Sequence, residues 1–218
     1  TPFHGGMFAR AAYLKKKHDF SITEFFSTLA ASYVLSFIAA SGIGLIAIYF
    51  IYTSTQTINA IILAILLIVF IAMLFIIVFS PKFPESKYNI LNKFIKVANG
   101  WNLIKNNYRV VSILLIASII NLFLGTLTYY LAFKVFGISV SLPGVFLLAS
   151  LSNLSLLISI TPANLGVQEA IVVFSALTIG VSVAESLTAS LLVRAISILV
   201  LFILGPIFSY KLLKNTNK

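Results

Sequence analysis

The feature that most constrains this chain is a series of long apolar segments that contain almost no charged residues. Residues 60–79 are uncharged and apolar throughout, and roughly 20 such residues cross about 30 Å of hydrocarbon. Only 9% of the 218 residues are charged and 60% are hydrophobic, whereas a soluble domain carries about 25% charged residues. A surface with so little charge requires lipid as its solvent. The sequence therefore predicts an all-α, polytopic membrane helix bundle.

Six apolar segments are predicted to enter the membrane, and they form a single transmembrane domain over 1–218. The four long segments are 27–52, 60–79, 110–133 and 187–210, and the two short ones are 143–160 and 168–181. A basic, half-apolar stretch at 7–19 suits a short helix at the membrane surface. The chain begins at Thr1 without a methionine or a signal peptide, so we expect it to be a fragment with residues missing upstream.

The basic residues lie mainly between the apolar segments and give the chain a net charge of +10. On a soluble protein this charge would suggest nucleic acid, but here it is typical of cytoplasmic loops that face anionic lipid. The Lys/Arg distribution places 10–17, 80–109 and 211–218 in the cytoplasm. We therefore expect a multi-pass protein of the cell membrane, with a cytoplasmic C-terminus and no nucleic-acid partner.

The two short segments are predicted to be re-entrant half-helices. Pro162 and Gly166 lie between them, and Pro162 biases Thr161 away from the helical conformation. Such a break at membrane depth is tolerated where protein or a watery cavity satisfies the freed backbone groups. Two complete crossings would leave the chain ends on the same sides, so the charge pattern leaves both arrangements open.

Two passages of the sequence resemble each other and predict an inverted repeat. Thr1-Pro2 with Gly6 has the same spacing as Thr161-Pro162 with Gly166, and each is followed by Ser-x-x-Glu, at 21–24 and 182–185. Ser-x-x-Glu before an apolar run is a capping box, which satisfies free amides at a helix start. The spans that follow would run in opposite directions, as in many secondary transporters. The repeats would cover 1–80 and 110–218, and coincidence between two helix starts is the alternative.

The segment 81–109 is predicted to be a cytoplasmic amphipathic linker. A helix lying in the membrane interface and a helix packed on neighbouring loops both fit its pattern. The apolar side chains that recur at helical spacing are Ile90, Phe94, Val97, Trp101, Ile104 and Tyr108.

Glu169 and Arg194 are the two charged residues set most deeply in apolar sequence. An ionisable residue at the centre of a bilayer costs about 2.5–3.5 kcal/mol on insertion scales and is usually paired or functional. We predict that these two side chains face each other, either as a structural ion pair or as a site where Arg194 meets a lipid phosphate. Ser152, Ser155 and Ser159, with Asn153 nearby, form either a tight packing surface or a polar wall for a headgroup.

Enzyme signatures are mostly absent. His4-Gly5-Gly6 is similar to an oxyanion-hole sequence, but no G-x-S-x-G nucleophile accompanies it. The two histidines lack metal-ligand spacing, there is no cysteine, and no phosphate-binding glycine loop is present. We therefore expect neither a cofactor nor a metal, and a transporter rather than an enzyme.

Two stretches resemble the transmembrane region of lysylphosphatidylglycerol synthases, a flippase-like family. They are 160–170 (ITPANLGVQEA), followed by Glu185, Leu191-Leu-Val-Arg194 and Leu204-Gly205, and 6–15 (GMFARAAYLK). The family's Gly-Gly-Leu-Gly appears here as residues 163–166, Ala-Asn-Leu-Gly, and its usual Arg before the Glu is Gln168.

The resemblance implies a protein that moves an aminoacylated or glycosylated lipid between leaflets. Its partners would be membrane lipids with an anionic or glycosylated headgroup, and an oligomer is compatible with it. The alternative is the membrane region of a lipid-modifying aminoacyl or glycosyl transferase whose catalytic domain is elsewhere. The residues assigned to headgroup binding are Arg10, Asn153, Ser155, Asn164, Gln168, Glu169 and Arg194.

Overall fold

The computed structural model describes residues 11, 13–15, 19, 21–84, 89–158, 161 and 164–214. Residues 13–15 are helical, and eight helices with defined bounds follow, with no strand in the described ranges. They are α1 (Ile22–Thr55), α2 (Ala60–Phe79), α3 (Asn89–Ala98), α4 (Gly100–Ile104), α5 (Tyr108–Val135), α6 (Leu142–Leu154, continued by a 3-10 turn at Ser155–Ile158), α7 (Val167–Leu177) and α8 (Val183–Lys214). The predicted all-α helix bundle is confirmed.

Four helices are long and apolar enough to cross a membrane: α1, α2, α5 and residues Val183–Pro206 of α8. They correspond to the four long predicted segments: α2 has the predicted bounds, and the complete helices α1, α5 and α8 each extend a few residues beyond theirs. Asn59 starts α2 by accepting the backbone N–H groups of Ile61 and Ile62, and Ser80 ends it in the left-handed conformation. Pro206 lies inside α8 without ending it.

Helix α1 is the centre of the bundle and packs against α2, α3, α4, α5 and α6. Its start is a reciprocal capping box, in which Ser21 Oγ accepts the Glu24 N–H while Glu24 Oε2 accepts the Ser21 N–H. Small residues on α1 allow neighbours to approach closely. A Cβ on Gly44, for example, would lie 2.9 Å from the Leu66 side chain. The main core is formed between α1, α2, α5, α6 and α7.

The two ends of the bundle differ in charge. The α1–α2 loop and the end of α7 lie together, since Thr57, Asn59 and Thr178 line one pocket with Leu147. The loops 53–59, 136–141 and 178–182 contain no Lys or Arg. By contrast, the segment between α2 and α5 carries exposed basic side chains at Lys82 and Lys96, and Arg109 is exposed at the start of α5. This asymmetry is the basis of the prediction that the basic end is cytoplasmic.

Helix α7 is too short to cross a bilayer, and α6 with its 3-10 turn (Leu142–Ile158) is at the lower limit of length for a span. With 11 residues, α7 is about 16 Å long, which is roughly half of the hydrocarbon thickness. Helix α6 starts at the end whose loops lack Lys and Arg, where Ser141 Oγ accepts the Gly144 N–H, and α7 returns to the same end. Their lengths and their packing against each other agree with the predicted pair of half-helices.

The linker differs from its prediction as one continuous amphipathic helix. It is divided at Asn99, whose side chain accepts the Phe83 N–H and donates to the Phe83 carbonyl. Trp101 and Ile104 are buried as predicted, but Tyr108 is 84% exposed and starts α5. Its assignment to the apolar face was wrong because the helix ends at Ile104. The side chains of Ile90, Phe94 and Val97 lie outside the described residues.

The linker packs on the first turns of α1. Ser27 Oγ donates to the Lys96 carbonyl at 2.9 Å, and a Cβ on Gly100 would lie only 2.1 Å from the Ser27 carbonyl oxygen. Protein therefore covers the buried face of α4, which favours a packed helix over one that contacts only lipid.

Candidate functional site

The chain reverses direction between α6 and α7. Asn164 (φ 58°) and Gly166 (φ 81°) both have left-handed φ values, which glycine adopts readily and asparagine tolerates. Thr161 Oγ1 donates to the Leu165 carbonyl at 2.7 Å, and the Gly166 N–H donates to Glu169 Oε2 at 2.8 Å. Side chains thus satisfy backbone groups that the break leaves free. Pro162 and Ser159, both singled out in the sequence, lie outside the described residues.

Glu169 and Arg194 form an ion pair through Glu169 Oε1 and Arg194 Nε, as the sequence predicted. The Glu169 side chain is 10% exposed and the Arg194 side chain 16%. Arg194 lies roughly 17 Å along α8 from Val183, so it is near the middle of the span. Its Nη2 donates to the Asn164 carbonyl and to Gln168 Oε1, both at 3.4 Å. The pair joins the start of α7 to α8.

A second group of polar side chains lies beside this pair. Tyr129 OH and Ser152 Oγ share a hydrogen bond of 2.9 Å, which links α5 to α6. Gln168 Nε2 donates to Ser152 Oγ at 3.0 Å and to Tyr129 OH at 3.4 Å. Gln168 Oε1 also accepts a hydrogen bond from Arg194. The Gln168 side chain therefore connects the hydroxyls of Tyr129 and Ser152 to the ion pair.

Tyr129 was not predicted as a site residue. Its signal in the sequence is a stripe of polar and small residues at helical spacing on an otherwise apolar span, formed by Asn121, Gly125, Thr128 and Tyr129, all of which line one cavity. The spacing i, i+4, i+7 and i+8 places these residues on one face of α5.

Two more predicted residues, Ser155 at the start of the 3-10 turn and Asn164 after it, belong to the cluster. Asn164 Nδ2 donates to Ser155 Oγ at 2.7 Å, and Ser155 Oγ donates to the Ser152 carbonyl at 2.6 Å. Asn153 Oδ1 and Asn164 Oδ1 are buried and accept no hydrogen bond from the described residues. Buried acceptors are usually paired, so both retain capacity for a water or a donor.

Six of the seven predicted site residues lie in this cluster, and the seventh, Arg10, is outside the described residues. The six are Asn153, Ser155, Asn164, Gln168, Glu169 and Arg194. No group of three metal-ligating His, Cys, Asp or Glu side chains occurs among the described residues.

Two cavities flank the Gln168 side chain. The tyrosine cavity, of about 310 Å³, is lined by Tyr129, Ser152, Asn153 and Ser155 with neighbouring residues. The arginine cavity, of about 340 Å³, is lined by Leu165, Glu169, Ser190 and Arg194 with neighbouring residues. Hydroxyls, amides and one ion pair therefore line two cavities between helices that are otherwise largely apolar.

An all-α bundle with four helices long and apolar enough to cross a membrane, two shorter apolar helices and a buried polar cluster defines a polytopic membrane protein with an internal polar site. Residues 1–205 match the family described as the lysylphosphatidylglycerol synthase TM region, and the chain belongs to this family. Membership connects the chain to a lipid-related function in a membrane. Comparison with curated proteins and with solved structures finds no match.

Proposed function

We propose that this chain moves the polar headgroup of a lipid between the two leaflets of the cell membrane, as a flippase-like transporter without a catalytic step of its own. The observation that carries the proposal is the Glu169–Arg194 pair, which lies between apolar helices and lines a cavity. A headgroup that crosses the hydrocarbon needs polar partners along its path, because polar groups are costly to bury unpaired.

The roles of the site residues follow from their chemistry. The Arg194 guanidinium offers five N–H donors, of which Nε faces Glu169 while Nη2 makes only two long contacts. It can therefore donate to a lipid phosphate while Glu169 balances its charge during the empty state. Ser155, Asn153 and Asn164 supply hydroxyls and amides for the rest of an anionic or glycosylated headgroup.

A leaflet-resolved assay in liposomes tests this proposal. Reconstituted protein should accelerate the exchange of labelled phosphatidylglycerol between leaflets relative to empty liposomes. Arg194→Gln should reduce that rate about 10- to 100-fold, because a hydrogen bond to a charged group contributes about 1.5–3 kcal/mol. Arg109→Gln is the matched control, since Arg109 is exposed at the start of α5. Equal rates for the two variants would refute the role of Arg194.

The proposed orientation has the C-terminus and the linker in the cytoplasm. The chain has no cysteine, so single cysteines introduced at Thr57 and Asn106, both exposed, can be labelled selectively in intact cells. A membrane-impermeant thiol reagent should label the first and not the second. Labelling of the second cysteine and not the first would show that the protein has the opposite orientation.

A second candidate is the membrane region of a lipid-modifying transferase, which the word synthase in the family description favours. In that case the chain would bind the lipid while a separate catalytic domain modifies it. Lipid exchange by the purified chain alone supports the transporter. Tight binding of phosphatidylglycerol without any exchange would support the second candidate.

A further inference from the structure

The tyrosine cavity and the arginine cavity share a wall. Gln168, Val193 and Ser197 line both of them. Ligand sites usually occupy about 300–1,000 Å³, so each cavity alone, at about 310 Å³ and about 340 Å³, is at the lower limit. Joined, the two would lie well within that range.

We propose that the two cavities are halves of one headgroup site, and that the Gln168 side chain is a movable partition that sets the size of headgroup the site admits. This inference rests on the proposed function and adds a specificity-determining residue to it. Gln168 is suited to the role because its amide contacts both sides, donating toward Tyr129 and Ser152 and accepting from Arg194.

The hydrogen bonds of the Gln168 side chain are longer than the contacts that its neighbours make with each other. Two of its three hydrogen bonds are 3.4 Å long, which is beyond the usual range for N–H donors, and only the 3.0 Å bond to Ser152 is of ordinary length. Tyr129 and Ser152 remain bonded to each other at 2.9 Å if Gln168 moves away. Glu169 likewise continues to pair with Arg194. The partition can therefore open without dismantling either cavity.

Thiol labelling tests the partition without any transport. In the cysteine-free chain, Ser155→Cys places a buried probe on the wall of the tyrosine cavity. Its modification by 2-aminoethyl methanethiosulfonate should be about two- to tenfold faster in a Gln168→Ala background, because truncation removes the side chain that separates the two cavities. Gln168→Met is the matched control, because it loses the same amide hydrogen bonds but keeps the length and most of the volume of the side chain.

Equal labelling rates in the Gln168→Ala and Gln168→Met backgrounds would overturn the proposal. If Ser155→Cys fails to fold, Asn153→Cys is the second probe, since Asn153 lines the same cavity. The same comparison decides the outcome there.

The size effect is measured in liposomes with two labelled lipids, phosphatidylglycerol and a diglucosyl diacylglycerol. Gln168→Ala should raise the ratio of the diglucosyl rate to the phosphatidylglycerol rate about two- to tenfold, and Gln168→Met should leave that ratio near the wild-type value. An unchanged ratio in Gln168→Ala contradicts size selection by Gln168. A wild-type protein that moves neither lipid rejects the proposed function instead, while the labelling comparison still tests the partition.

Discussion

Helices α1 and α8 begin in the same way but occupy different positions in the bundle. Each starts with a reciprocal Ser-x-x-Glu capping box, Ser21 with Glu24 in α1 and Ser182 with Glu185 in α8. In the most apolar window of α1, 39% of the residues are buried, against 11% for α8. Helix α1 packs against five other helices, whereas α8 packs mainly against α5 and α7.

The residues that follow the two capping boxes explain the difference. Nine positions after the box glutamate, α1 has Tyr33, which stacks on Phe37 with ring centroids 5.7 Å apart. At the same position α8 has Arg194, which pairs with Glu169. The first helix thus stabilises the scaffold through packing, and the second contributes a charge to the polar site. Two similar helix starts can serve different purposes, and whether they descend from an inverted repeat stays a prediction.

Breaking the ion pair of α8 should give the largest difference in lost stability when it is compared with a substitution at the matching position of α1. Arg194→Gln or Glu169→Gln leaves one charge buried without its partner, which typically costs about 3–5 kcal/mol. Tyr33→Phe, at the matching position of α1, removes only a hydroxyl and should cost far less. Thermal unfolding in detergent, monitored by the fluorescence of the single Trp101, measures all three. Similar losses of stability for Tyr33→Phe and Arg194→Gln would contradict the different roles assigned to α1 and α8.

A methyl group added against α1 should destabilise the protein more than one added on α8. Gly100→Ala places a methyl group where the Ser27 carbonyl of α1 now lies, and such overpacking typically costs about 1–3 kcal/mol or more. Gly205→Ala on α8 meets no atom within 4 Å, and it should be neutral or stabilise the helix by about 0.5–1 kcal/mol. The same unfolding measurement compares them. A Gly205→Ala variant less stable than Gly100→Ala would show that α8 is packed more tightly than described.

Removing the capping hydroxyls should give the smallest difference in unfolding free energy, because both boxes share the same pair of reciprocal backbone-to-side-chain hydrogen bonds. Ser21→Ala and Ser182→Ala each remove an N-cap hydroxyl, which usually costs about 0.5–2 kcal/mol. We expect the two losses to agree within about 0.5 kcal/mol when measured by the same thermal unfolding. A clearly larger loss at Ser21 would mean that the central position of α1 amplifies a purely local change.

Local signals explain which parts of the fold could be predicted from the sequence. The bounds of α2 follow from Asn59 and Ser80, and both capping boxes form as their spacing indicates. The division of the linker could not be predicted, since it depends on Asn99 binding the backbone of Phe83, 16 residues away. A helical period alone extended the amphipathic face to Tyr108, beyond the actual end of the helix.

The candidate site shows the same limit. Glu169 and Arg194 could be paired from the sequence because two opposite charges in apolar segments have few other partners. Tyr129 was missed, because a tyrosine on an apolar span serves equally well in packing or at a membrane interface, and only its helical spacing from Asn121 indicates a polar face. Its contact with Ser152 depends on how α5 and α6 are placed in three dimensions.

In the proposed function, Glu169 and Arg194 serve lipid transport and do not merely stabilise the bundle. The most direct test combines unfolding with leaflet-resolved exchange of labelled phosphatidylglycerol for both single variants and for Glu169→Gln/Arg194→Gln. Removing both charges should recover much of the stability lost by either single change, because no unpaired charge stays buried. We predict that the double variant nevertheless remains deficient in lipid exchange. A double variant that recovers both stability and wild-type exchange would show that the pair is only structural.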